Sequence, residues 1–414
     1  MNGMRALVIT FCVLIAGRAT LTSVSPGPQG GQTAPPTAAP AKAAPRPDPQ
    51  GPVTGPQVAT AIDSLGSIDF PIRSSAARTV RRAEPAIAVP ALLQTLKQHK
   101  DEYVRFRALV ILSGFNDPRT RDVMGSAIAD KNDRLRTVAY TYFEHNPDPA
   151  IAPRLLEALK VEESEFVRPA LTRALAAHAA DPKVQQMMPG LVMKGEVFFR
   201  SVVIETLGDH RGAYALESLI GIAKTDGPLQ DDAALALGKI GDKSVLPVLA
   251  ALQRTAPRES QPGIAAAICL LGVNCASHQP FIVESLRFSI ANIGFQPLIR
   301  SSASALSVLA VAGREDAAVD LIALGGPTYD PARAPIALAM GSLALRNPSL
   351  LLKVLEKEPL RGPAMELLRD AFDMLEEDFE EERFFATVRR AYWQAPAGSP
   401  ARVAADSLIR GLEF

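Results

Sequence analysis

Aromatic residues are scarce in this chain of 414 residues: they make up 6% of it, with a single Trp. Aromatics carry much of the buried area in ordinary cores. The interior therefore has to be built from Ala, Leu, Val and Ile, a composition that suits closely stacked helices. Net charge is missing too, with 44 Lys plus Arg against 44 Asp plus Glu and a pI near 7.0. Uniform electrostatic attraction to nucleic acid is thereby excluded. Familiar catalytic spacings are also absent: there is no GxxxxGK[ST] phosphate loop, GxGxxG, HExxH, GxSxG elbow or CxxC pair. No motif supplies a catalytic residue or a cofactor site. What remains is 47% hydrophobic and 21% charged, a globular composition, over a length of two to three domains at about 150 residues each.

The first 57 residues stand apart. Arg5 precedes an uninterrupted apolar run over residues 6–16 (ALVITFCVLIA), and Gly17 and Ala19 supply small residues for a cut after Ala19. This is the layout of a secretory signal, and at about 1.5 Å per residue the run is too short for a bilayer core of about 30 Å. Residues 1–19 are therefore expected to be a signal peptide that sends the protein to the periplasm or outside the cell. The alternative is an uncleaved anchor through residues 6–16, the one route by which a membrane enters. Residues 20–57 are expected to form a linker, since ten of the 34 residues from Val24 to Gln57 are Pro and almost nothing there is apolar.

After Val58 the chain repeats. An apolar residue followed by Arg recurs at Arg73, Arg105, Arg136, Arg168 and Arg200, at intervals of 31 or 32 residues, and again at Arg300, Arg333 and Arg402. Gln230 takes the place of Arg in one unit. Within a unit such as VRPALTRALAAH, Val167, Leu171, Ala174 and Leu175 share one helical face. A small or apolar residue follows the leading position by four: Ala76, Ala108, Ala139, Leu171, Val203, Ala233 and Ala303. Pro90, Pro153 and Pro247 are placed to open the other helix of each pair, and Gly208, Gly238, Gly241, Gly272 and Gly313 to end helices. A helix pair this short cannot bury its stripe alone, so the expected fold is all-α, a solenoid of about eleven stacked pairs over residues 58–414.

The segment from Asp231 to Leu252 (DDAALALGKIGDKSVLPVLAAL), with its ALGxIGD turn and Pro-led second helix, resembles HEAT repeats, especially the short bacterial, phycobilin-lyase-like form. Val104 to Ser113 and Phe199 to Asp209 resemble it next best. The resemblance implies a concave face lined by one helix of each pair, and a scaffold that binds a protein partner along it; the balanced charge argues against nucleic acid, and a monomer is expected. Two other functions stay open: a bilin-lyase-like enzyme or enzyme subunit, and a structural spacer tethered by the N-terminal segment.

Four sets of residues invite a role. Each repeated Arg, from Arg73 to Arg200, lies near a helix N-terminus, the unfavourable end of the dipole for a cation. Acids just before it (Asp69, Asp101, Glu102, Asp133, Glu163, Glu165, Glu196) are expected to cap their own helices and pair with the Arg of a neighbouring repeat in a structural ladder. His145, His178 and His210 share a second register and would line up near equivalent helix ends. Either the helix dipole and nearby carboxylates satisfy them, or they are candidate zinc ligands. Asp370, Asp373, Glu376, Glu377, Asp378, Glu380, Glu381 and Glu382 crowd one segment without a base. They read as the solvated face of a single packed helix, or else as a docking patch for a basic partner or segment. Cys269 and Cys275 are expected to stay free, because six positions along a straight helix is too far for a disulfide unless a turn at Gly272 folds the chain back.

Charge is also unevenly placed. Residues 58–140 carry 13 Lys plus Arg against 9 Asp plus Glu, and residues 351–414 carry 9 against 13.

Overall fold

The computed structural model describes residues 52–375 and 378–414. The signal segment, nearly all of the linker, Glu376 and Glu377 lie outside the described residues. Among the described residues the chain is helical, in consecutive pairs. The first are α1 (Gly55–Ser64) with α2 (Phe70–Arg82), α3 (Pro85–Gln98) with α4 (Glu102–Ser113), and α5 (Arg119–Ala127) with α6 (Asp133–His145). Then come α7 (Ala152–Val161) with α8 (Arg168–Ala177), α9 (Pro182–Leu191) with α10 (Val197–Asp209), and α11 (Leu216–Ala223) with α12 (Gln230–Ile240). α13 (Leu246–Thr255), α14 (Gln261–Leu270), α15 (Cys275–Ala291) and α16 (Gln296–Val311) follow. The last are α17 (Glu315–Gly325), α18 (Arg333–Arg346), α19 (Pro348–Leu355), α20 (Glu358–Met374), α21 (Phe379–Gln394) and α22 (Pro400–Leu412). α1 begins three residues inside the segment expected to be linker, because Thr54 and Gln57 form a capping box.

Local chemistry sets these boundaries. Asp69 and Asp101 accept hydrogen bonds from the first free amides of α2 and α4. Pro153 and Pro247 sit in first turns, whereas Pro90 lies inside α3, which Pro85 opens. Gly241 closes α12 at φ +86°. Gly208 and Gly238 do not end helices. They lie within α10 and α12, where a Cβ on Gly208 would come 2.8 Å from Ala236 Cα and one on Gly238 2.5 Å from Ala267 Cα. Glycine at these two positions lets successive even-numbered helices touch backbone to backbone.

Those even-numbered helices form the inner layer. From α4 to α18 each buries five to ten residues, while odd-numbered helices up to α19 bury two to five. Ala108, Ala139, Leu171, Val203, Ala233 and Ala303, the positions four after each leading residue, are all fully buried between stacked helices. Consecutive even helices pack on one another along the chain, as a solenoid requires.

The stack also curls far enough to meet itself. α21 packs against α4 and α6, and against α18. Phe379, its first residue, belongs to the central apolar cluster made by residues 106–271 and not to that of its neighbours in sequence. The inner face is therefore not an open concave groove at these units: the chain's own C-terminal region fills it.

Candidate functional site

Most of the repeated Arg side chains bond back to the end of the helix before their own. Arg73 donates to the Ser67 carbonyl at 2.7 Å, Arg105 to that of His99 at 3.1 Å and Arg136 to that of Asp130 at 2.9 Å. Arg200 donates to the Val192 carbonyl at 2.7 Å, Arg333 to Gly326 at 3.3 Å and Arg402 to Ala395 at 3.2 Å. Each acceptor lies at or just beyond the C-terminus of the preceding odd-numbered helix, where carbonyls lack partners and a cation is favoured. Gln230 and Gln261 make the same bond, to Ala223 and Ala256. The inter-repeat acid ladder is corrected accordingly. Glu102 and Asp133 pair with Arg105 and Arg136 of their own helices, and Arg136 also reaches an acid of the next pair, Glu162, at 2.8 Å. Arg168 instead lies over the Phe199 ring at 4.3 Å.

A charge ladder between repeats exists in other residues, among them Asp209, expected from the sequence only as a carboxylate near the histidines. On the inner layer, Arg173 of α8 bonds Glu205 at 2.9 Å and Asp209 at 3.2 Å on α10, and Lys239 of α12 bonds Asp209 at 2.7 Å. Arg346, at the end of α18, reaches across to bond Glu205 at 2.9 Å and also Asp209. Burial opposes the Asp209 charge, but Arg346, Lys239 and Arg173 outweigh it and hold this carboxyl well below its ordinary range. A signal was present: Arg173 and Glu205 each follow the leading residue of their units by six, and Asp209 and Lys239 by ten. Near the same ladder Asp232, bonded to the Ser201 hydroxyl at 2.6 Å, is pushed up to about 7, mainly by burial and, less, by Glu205 and Asp231.

The His register splits. His178 is buried with both ring nitrogens used, Nδ1 at 2.7 Å from the Ala174 carbonyl and Nε2 accepting from the Asp148 amide at 2.9 Å. It fixes the loop before α7 and is not available to a metal. His145 and His210 instead reach carboxylates on other helices. His145 Nε2 lies 2.6 Å from Glu380 of α21, and His210 Nε2 lies 3.2 Å from Glu144 of α6. Burial would raise the Glu380 carboxyl, yet His145 and Arg383 together hold it at about 2.

The acidic segment is not one solvated helix. α20 stops at Met374, Leu375 turns extended, and Asp378 caps α21 by accepting from the Glu380 and Glu381 amides at 2.9 and 3.3 Å. Asp370 pairs with Arg333, and Asp373 is exposed. Glu381 and Glu382 are buried, Glu382 completely. Glu382 bonds Arg81 of α2 at 2.7 Å and Arg389 at 3.0 Å, against Gly114 at the end of α4, where any Cβ would collide with the carboxylate. Phe379 anchors this junction, edge-on to Tyr142 at 6.1 Å and stacked on His145 at 5.9 Å. The acidic C-terminal helices thus dock on the basic first helices of the described stack.

Cys269 and Cys275 form a disulfide, with Cα atoms 4.5 Å apart. The expectation of free thiols overlooked how sharply the chain turns there: Gly272 at φ +74° and Asn274 at φ +50° end α14 and fold the first residue of α15 back.

Exposed large apolar side chains mark one edge of the stack as an interrupted ridge, supplied by six of the helix pairs. Of twelve large hydrophobic residues exposed among the described residues, ten lie at or beside turns leading from an odd-numbered to an even-numbered helix, from Ile68 and Phe70 through Phe166, Met193, Ile293 and Tyr329 to Trp393. In a stack of pairs, all these turns share one edge.

HEAT repeats match residues 58–143 and 89–176. No curated protein matches the chain. Among solved structures, YibA of Escherichia coli is 19% identical, over 53% of this chain and 83% of its own, with a TM-score of 0.40. Importin beta is 11% identical over 85% of this chain, with a TM-score of 0.34, and Kap95p, solved with RanGDP, is 13% identical over 86%, with a TM-score of 0.33. The chain spans 57% of the length of each of these two. At such identities the likeness concerns fold alone. HEAT repeats are thus matched over residues 58–176, and the same pairing of helices runs on to α22 as an α-solenoid.

Proposed function

We propose that this protein is a non-catalytic scaffold of the cell envelope that binds a protein partner along the edge formed by its odd-to-even turns. The observation that carries this is the ridge from Ile68 to Trp393. Apolar side chains spread over one edge by six helix pairs supply area that desolvates on contact, and aromatic anchors such as Phe166, Tyr329 and Trp393 are the residue types that dominate interfaces. The inner face suits a partner less well than the sequence implied, since α21 and the ladder around Asp209 occupy much of it. Residues 1–19 provide the route to the envelope.

Affinity capture from the native envelope fraction tests both parts. The secreted chain should retain a specific partner, and Phe166→Asp with Tyr329→Asp should lose it. Phe281→Asp, exposed but off the ridge, should keep it. Retention of the intact chain in the cytoplasm, or capture indifferent to the ridge variants, would refute the proposal.

A further inference from the structure

We propose that Glu144, His145, His210 and Glu380 form a binding site for a divalent transition metal of the zinc class, which fastens the C-terminal region to the first half of the solenoid. Three helices supply the ligands: α6 gives Glu144 and His145, the end of α10 gives His210, and α21 gives Glu380. The ligand atoms of Glu144, His145 and Glu380 all lie within 4.8 Å of one another, and His210 Nε2 stands 3.2 Å from Glu144 Oε1. For metal–ligand bonds of about 2.0 to 2.1 Å, tetrahedral ligands sit about 3.3 Å apart. The His210 to Glu144 separation of 3.2 Å is close to that spacing and the His145 to Glu380 separation of 2.6 Å falls short of it, so side-chain rotations that spread the second pair and bring His210 in beside Glu144 would admit an ion.

The chemistry of the donors fits. Two imidazoles with two carboxylates suit zinc and its neighbours better than magnesium or calcium, which prefer all-oxygen sets. With both imidazoles neutral, the two carboxylates balance a dication. The surroundings already orient the ligands as an outer shell does. Arg383 holds the far oxygen of Glu380, Oε2, at 3.0 Å and leaves Oε1 facing His145. The His145 ring is stacked on Phe379. Arg173 stands 3.9 Å from Glu144, near enough to steady it while its own bonds go to Glu205 and Asp209. An ion here joins residues 66 and 235 positions apart in sequence, so its binding energy would add to closure of the stack.

The test is calorimetric titration of the full secreted chain, stripped with a chelator, with zinc chloride at neutral pH. One ion per chain is expected, with a higher melting temperature in its presence. His145→Ala and Glu380→Gln should each weaken zinc binding at least tenfold, while His99→Ala, remote from the cluster, should not. Far-UV circular dichroism shows whether each variant keeps its helices. His210→Gln is the second variant if one fails to fold. Cobalt substituted for zinc should give visible ligand-field bands that the His145→Ala chain lacks. No zinc uptake by the folded chain, or uptake unchanged in all three ligand variants, would overturn the assignment.

Discussion

Replacing Glu382 with Gln isolates the junction between the two ends of the chain. The carboxylate is fully buried between Arg81, 2.7 Å away and itself 7% exposed, and Arg389 at 3.0 Å. An amide of the same shape leaves two guanidinium groups facing each other without a counter-charge. Removing one partner of a buried ion pair costs about 3 to 5 kcal/mol, at least a hundredfold in the equilibrium it governs, since about 1.4 kcal/mol is tenfold. That equilibrium is closure, because Arg81 and Glu382 are 301 residues apart, whereas each helix pair is held by its immediate neighbours. Glu382→Gln should therefore leave helix content intact, lower the melting temperature by several degrees and enlarge the radius of gyration in small-angle scattering. Arg78→Ala makes the contrast. Its partner Glu413 is 56% exposed, so the loss should stay within about 1 kcal/mol. If Glu382→Gln behaves like Arg78→Ala in both melting and scattering, the junction does not hold the ends together.

Three further outcomes follow from the repeat itself. Arg105→Gln should change thermal stability by less than about 0.5 kcal/mol, because Gln230 and Gln261 already serve as donors to preceding helices, while Arg105→Ala should cost about 1 kcal/mol for the lost bond; equal losses would refute the capping role. Gly238→Ala, whose Cβ would press on Ala267 backbone, should destabilise by about 1 to 3 kcal/mol in chemical denaturation, and Gly263→Ala, helical with open space around it, should stabilise by about 0.5 to 1 kcal/mol. Asp232 is raised from 3.8 to about 7 in the folded chain, so its ionisation opposes folding: stability falls as pH rises from about 4 to 7, and the penalty is complete above 7. Asp232→Asn should flatten that stretch of the stability profile and melt higher than the parent at pH 8; an unchanged profile would contradict the buried, largely neutral carboxyl.

The pairing of helices was legible because it is local. A 32-residue recurrence of Arg and an apolar partner marks the start of even-numbered helices, and buried Ala108 and Ala139 follow from the same register. What the Arg does was not legible, since its acceptor is a backbone carbonyl that carries no side-chain signature. The acidic segment misled for a different reason: Ala371, Phe372, Leu375 and Phe379 keep helical spacing across a break that Asp378 imposes by capping a new helix. Contacts such as Phe379 with Tyr142, or Arg346 with Asp209, depend on the accumulated curvature of many small helix-to-helix rotations, which no single repeat encodes. The opposite charges of the two ends were the only trace of closure in the sequence, and they were equally consistent with two separate partners.

Self-closure is the central claim, and an engineered cross-link tests it most directly. A Cβ at position 114 would lie 3.1 Å from Glu382 Cγ, so Gly114→Cys combined with Glu382→Cys, with Arg81 and Arg389 both replaced by Met so that no guanidinium is left without its counter-charge, places two thiols in reach of each other only if α21 sits against the end of α4. Mild oxidation of dilute protein, followed by mapping of disulfide-linked peptides, should recover an intramolecular bond between positions 114 and 382 in most chains. Free thiols at both positions, or bonds formed only between molecules, would show that the two ends do not meet.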